Sequence, residues 1–123
     1  MKVVATSKAP AALGPYSQAQ IVGNLIFTSG QVGIIPETGE VAVGVEAQAH
    51  QVFKNLGEIL KAAGTDMSKV IKTTVFLKHM DDFATINGIY AQYFTDPFPA
   101  RSCVEVAKLP KDMLVECELI AEI

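Results

Sequence analysis

Apolar residues recur along this chain with two periods, and the places where one gives way to the other mark its elements. Gln18-Ala19-Gln20-Ile21-Val22 and Leu25-Ile26-Phe27-Thr28-Ser29-Gly30-Gln31-Val32 read as two strands around Gly23-Asn24, a pair that suits a type II′ hairpin turn. Strand side chains alternate, so Leu25, Phe27, Ser29 and Gln31 are expected on one face and Ile26, Thr28, Gly30 and Val32 on the other. After a turn at Pro36-Glu37-Thr38-Gly39 the step lengthens. Val45, Ala49, Val52, Phe53, Leu56, Ile59, Leu60 and Ala63 then recur at three and four residues, with Glu46, His50, Lys54, Glu58 and Lys61 opposite, which predicts a long amphipathic helix. Gly64 suits the left-handed residue that stops it.

Val70 to Leu77 is β-branched and of strand length. Asp81 or Asp82 is placed to accept from the first N–H groups of a second helix, whose stripe is Phe83, Ile86, Tyr90 and Phe94 and which Asp96-Pro97 ends. Two strands close the chain, Arg101 to Val106 and Leu114 to Ile123. In the second, Val115, Cys117, Leu119, Ala121 and Ile123 alternate with Leu114, Glu116, Glu118, Ile120 and Glu122. The order β-β-α-β-α-β-β predicts a two-layer α+β fold with both helices on one face of a mixed sheet. The other face, with Leu25 and Phe27, then lacks a cover within the chain, and an oligomer would bury it.

Composition adds limits to this picture. With 123 residues, half of them hydrophobic, residues 1–123 are expected to form one domain that folds without metal or disulfide. Ten Lys and Arg against 13 Asp and Glu give a net charge of -3 with no basic block, so no nucleic acid or anionic membrane is expected as a partner. No apolar run approaches the ~18 residues of a bilayer span, and Lys8 and Pro10 break the one candidate leader. With only Cys103 and Cys117, the expected setting is the reducing cytoplasm.

Three residues strain against their local patterns. Arg101 opens an apolar strand, where an unpaired guanidinium is costly to desolvate; it needs an anion, either a ligand carboxylate held by its planar fork or an internal partner among Glu105, Glu116 and Glu118. Glu116, between Val115 and Cys117, either faces a cleft and exchanges a proton there or joins Glu118 and Glu122 on a solvated face. Asn87 falls within the second helix's stripe and must find partners, a tether to a strand being the plainest role. His50 and His79 read as surface residues, and two His with two Cys at unrelated spacings make no zinc pattern. Gly39 and Gly44 have phosphate-loop spacing, but Val45-Glu46 stands where Lys and Ser/Thr belong. Cys103 and Cys117 have no histidine placed as a base.

Gly14-Pro15-Tyr16-Ser17-Gln18, Phe27-Thr28-Ser29-Gly30-Gln31, Asn87 three before Tyr90, and Pro99-Ala100-Arg101-Ser102-Cys103-Val104-Glu105-Val106-Ala107-Lys108-Leu109-Pro110 together resemble the RidA/YjgF family of reactive-intermediate (imine) deaminases, nearly end to end. The resemblance implies a chorismate-mutase-like α+β fold, β-β-β-α-β-α-β-β, assembled as a homotrimer with clefts between subunits. It implies hydrolysis of 2-iminobutanoate and 2-iminopropanoate to 2-oxo acids and ammonia, with neither cofactor nor metal, in protection of pyridoxal-phosphate enzymes. By the same resemblance Arg101 clamps the substrate carboxylate and Glu116 positions or activates water. Tyr16, Ser29, Gly30 and Asn87 line the pocket, and Cys103 contributes through its backbone. A carboxylate-binding regulator without turnover would keep Arg101 and gain little from Glu116; RNA cleavage, linked to some relatives, meets an acidic chain without basic–aromatic patches.

Overall fold

The computed structural model describes residues 1–123. Strands β1 (Lys2–Val4), β2 (Ala19–Val22), β3 (Leu25–Thr28) and β4 (Gln31–Val32) precede helix α1 (Val45–Ala62). Strand β5 (Val70–Leu77), helix α2 (Phe83–Tyr93) and strands β6 (Ala100–Glu105) and β7 (Val115–Glu122) complete the chain. The sheet runs β1-β2-β3-β7-β5-β6, and β4 also pairs with β7. Every pairing is antiparallel except β5 with β6, which α2 connects, so the sheet is mixed and the fold α+β as expected.

Local chemistry accounts for most of the boundaries. Gly23 takes φ 60° while Asn24 stays at negative φ, as the hairpin between β2 and β3 requires. Helix α1 ends where Gly64 turns to φ 85°. The Gly64 N–H then donates to the Lys61 carbonyl at 3.0 Å and the Thr65 N–H to that of Leu60 at 3.0 Å, satisfying two carbonyls that would otherwise lack partners. Neither Asp81 nor Asp82 caps α2 with its side chain. A short 3₁₀ turn, Met80–Asp82, leads into the helix, and the Met80 N–H donates instead to Glu105 Oε1 at 2.8 Å. That carboxylate comes from β6, a source local spacing does not reveal.

One face of the sheet carries both helices. Val115, Cys117, Leu119 and Ala121 of β7 are buried there with Phe53, Leu56, Ile59 and Leu60 of α1, each full burial of a large side chain contributing roughly 1.5–3 kcal/mol. From α2 the buried residues are Ile86, Ile89 and Tyr90, while Phe83 lies at the margin. Phe53 makes edge contacts with Tyr90 and Phe94, centroids 5.7 and 5.8 Å apart, and so locks the two helices together. His50 is not simply a surface residue: its Nδ1 lies 2.6 Å from the Tyr93 hydroxyl, across the α1–α2 contact.

The second strand of the hairpin departs from the expected continuous run. Ile26 and Phe27 pair with Ala121 and Ile120, but Gln31 and Val32 pair with Cys117 and Glu116. One extra residue has therefore entered on this side between β3 and β4, and beyond it the alternation is inverted. Phe27 lies on the open face, whereas Gln31 is buried beside Cys117 toward the helices. The Thr28 hydroxyl accepts from the Leu119 N–H at 3.0 Å, patching the interrupted ladder, and the Ser29 N–H turns to the Gln18 carbonyl at 2.9 Å.

Candidate active site

The bulge at Ser29-Gly30 brings the chain against β7. A Cβ on Gly30 would stand 2.8 Å from Glu116 Oε2, so a side chain here would push that carboxylate from its place. Ser29 Oγ donates to the Ser17 carbonyl at 2.5 Å, tying this corner to the loop that carries Tyr16. Gln18 fixes the same loop from beneath. Its buried amide accepts from the Thr6 N–H at 2.7 Å and donates to the carbonyls of Thr6 and Pro10 at 3.0 and 2.8 Å. Tyr16, Ser29, Gly30 and Glu116 thereby line one cleft of about 690 Å³, with Leu13, Val32 and Ile34 as apolar wall and Glu118 and Lys111 also present.

Glu116 pairs with Phe76 and Val32 between the inward-facing Val115 and Cys117, so its side chain lies on the open face. Burial raises its pKa above the ordinary glutamate range, and the negative charge of Glu118, two residues along on the same face, raises it further. Both readings of Glu116 are thus partly met, since it lines a cleft and Glu118 is its neighbour.

Arg101 is elsewhere. It pairs with Thr73, and Thr73 faces the helices, where its hydroxyl lies 2.7 Å from the Tyr90 hydroxyl. The guanidinium carbon sits 4.8 Å from the Tyr90 ring centroid and 5.3 Å from that of Phe83, and Nη1 donates to Asn87 Oδ1 at 2.7 Å. Asn87 is therefore the tether expected of it, and its strand partner is Arg101 itself. No carboxylate of the chain pairs with Arg101: the one ion pair is Lys108–Asp112, so an internal pair with Glu105, Glu116 or Glu118 is excluded. Asn87, Tyr90, Phe98, Pro99 and Arg101 line a separate depression.

Cys103 follows two residues on, beside Val75, half-buried and with its thiol pKa raised by burial despite the nearby Arg101 charge. Cys117 is fully buried, its thiol held protonated by burial and the surrounding carboxylates. The structure thus gathers Tyr16, Ser29, Gly30 and Glu116 on one side of the sheet and Asn87, Arg101 and Cys103 on the other. Sequence reasoning missed Gln18, Tyr90 and Thr73 as supports; a polar residue among apolar neighbours is the signal for Gln18, and nothing local marks the other two. No three metal-ligating side chains cluster, and no helix is long and apolar enough to cross a membrane.

A mixed sheet with two helices on one face, a cleft that holds Glu116 on the open face and an Arg101 guanidinium without an intrachain anion on the other define a small α+β protein. The chain belongs to the RidA/YjgF family, whose model, described as Endoribonuclease L-PSP, matches residues 6–123. It is 58% identical over 121 residues to Reactive Intermediate Deaminase A, chloroplastic, of Arabidopsis thaliana, a match spanning 98% of this chain and 65% of that one. It is 53% identical over 123 residues to the 2-iminobutanoate/2-iminopropanoate deaminase of Escherichia coli, covering 98% of this chain and 96% of the relative. The crystal structure of RidA from the Antarctic bacterium Psychrobacter sp. superposes with TM-score 0.98 at 46% identity, each chain covered in full.

Proposed function

We propose that this protein hydrolyses 2-imino acids such as 2-iminobutanoate and 2-iminopropanoate to 2-oxo acids and ammonia, protecting pyridoxal-phosphate enzymes from these intermediates. The observation that carries this reading is the Arg101 guanidinium, held over Tyr90 and by Asn87 with no carboxylate of its own chain, in a relative of named imine deaminases. A planar cation kept free of internal anions supports the role of a clamp for a substrate carboxylate.

Arg101 and Glu116 lie on opposite faces of one sheet, so we propose that the site closes only when the open face of one chain meets the Arg101 side of another, in a homotrimer. In that site Arg101, Asn87 and the backbone at Cys103 hold the carboxylate, while Tyr16, Ser29 and Gly30 border the reacting carbon. Water adds to the C=N carbon of the protonated imine as Glu116 takes its proton. The carbinolamine nitrogen receives a proton, the C–N bond breaks with departure of ammonia, and the remaining hydroxyl becomes the carbonyl of the 2-oxo acid. A protonated imine is already electrophilic, so orientation beside water and one base suffice without cofactor or metal.

The family's description as an endoribonuclease does not guide this reading, because Glu116 and Glu118 would repel a phosphate backbone. The test couples the purified protein to a threonine dehydratase that makes 2-iminobutanoate in place, with semicarbazide trapping residual imine. The native protein is expected to accelerate imine loss beyond buffer, and Arg101→Ala and Glu116→Ala to abolish the acceleration. A native protein that binds 2-oxobutanoate without accelerating hydrolysis would make it a carboxylate-binding regulator instead.

A further inference from the structure

The connection between β6 and β7 contains the chain's only residues other than glycine at positive φ. Lys111 and Asp112 are consecutive residues in the left-handed region, at φ 53° and 54°. Residues with a Cβ visit this region rarely and singly, so two in succession store strain that the surroundings must hold in place. The surroundings do so: Leu109 and Met113 on either side are buried at 5% and 0% exposure. The Asp112 N–H donates to the Leu109 carbonyl at 3.2 Å and the Met113 N–H to that of Pro110 at 3.1 Å.

The charges in this turn are not equivalent. Asp112 pairs with Lys108 at 3.6 Å, and the two neutralise each other in solvent. Lys111 makes no ion pair, yet it lines the cleft that also holds Glu116 and Glu118, and it is the only cationic side chain on that wall. Its charge is not spent on Glu116, whose proton affinity is set by burial and by Glu118. Without Lys111 the wall would carry two carboxylates and no cation, a field that repels any anion approaching it.

We propose that Lys111 is a substrate-capture residue: the strained turn presents its ammonium at the mouth of the Glu116 cleft, where it attracts the carboxylate of the incoming imine before Arg101 takes it. The inference rests on the deaminase reading and adds to it the group that lets an acidic cleft accept an anion. The substrate carboxylate keeps its charge from the bound state through the transition state, so the attraction acts equally on both and belongs in KM and not in kcat.

Steady-state imine hydrolysis by native protein and by Lys111→Gln, Lys111→Arg and Lys111→Gly tests this at two ionic strengths. Near 0.01 M, where the Debye length is about 30 Å, Lys111→Gln is expected to raise KM about fivefold with kcat unchanged; near 1 M, where it is about 3 Å, the difference should vanish. Arginine should restore the native KM. Glycine, which relieves the backbone strain but removes the charge, should behave like glutamine. A native KM in Lys111→Gln, or a loss that resides in kcat or persists unchanged at high salt, would overturn the proposal while leaving the deaminase reading intact. If the native protein does not turn over imine, the deaminase reading fails by itself. Calorimetry of 2-oxobutanoate binding to native and Lys111→Gln protein then decides capture, equal affinities at low salt refuting it.

Discussion

Glu116 shares its place with two neighbours that act on it in different ways. Gly30 gives it room by lacking a side chain, and Glu118 makes its ionised form more costly. If the ionised form accepts the proton from water, hydrolysis should fall on acidification with a midpoint above the ordinary glutamate range. Glu118→Gln should move that midpoint down, which the pH profile of kcat/KM reads directly; an unmoved midpoint would contradict it. The same shift bears on stability. Folded Glu116 holds its proton more tightly than the unfolded chain does, so its contribution is fully present below the unfolded pKa and lost as pH rises through the folded one. Glu116→Gln should therefore melt higher than the native protein at neutral pH and alongside it in acid. At this scale the sequence was informative because Arg101, Asn87 and Glu116 are polar among apolar neighbours. It was silent on Tyr90 and Thr73, whose mutual bond beneath Arg101 joins residues 17 apart in the chain.

Periodicity located both helices because each buries one regular face, and a β-branched run of strand length placed β5 with its observed ends. The failure at Ser29-Gly30 has a definite cause. A single inserted residue leaves the local composition strand-like and shows only in the pairing with β7, about 90 residues away, so alternation read through it assigns Gln31 to the wrong face. Strand β1 is three residues long and carries too little pattern to be read from the sequence. Beyond the bulge, α1 approaches so closely that a Cβ on Gly33 would lie 2.7 Å from the Gln48 Cα, a backbone atom that cannot swing aside. Gln48 also accepts from the Leu114 N–H and donates to the Ala42 carbonyl, at 2.8 and 3.1 Å, so displacing α1 strains both ends of the site wall. Gly33→Ala is expected to cost about 1–3 kcal/mol, seen as a fall in Tm of several degrees, and a native Tm would show that this contact is slack.

For the whole molecule, the division of candidate groups between the two sheet faces matters more than any one distance. Sequence alternation could not reveal it, because β6 and β7 are not neighbours and their relative facing depends on β5 between them. If each site combines Arg101 of one chain with Glu116 of another, Arg101→Ala and Glu116→Ala proteins, each inactive alone, should regain part of the native rate when unfolded and refolded together. Mixtures that remain inactive, despite forming mixed oligomers by mass spectrometry, would place both groups in one chain's site. The open face supports such an assembly, since Phe27 and Val104 remain 42% and 44% exposed there.

The absence of an intrachain anion for Arg101 also has a consequence for dosage. If the homotrimer closes the site as proposed, a chain that supplies the cation on one face and the base on the other would be chemically incomplete when solitary, and newly made copies would contribute nothing until they find company. Output then climbs more steeply than copy number at low abundance and becomes proportional to it only once association saturates. Under the proposed assembly, a cell making a little of this protein would obtain almost no protection, and one making several times as much would obtain nearly all of it.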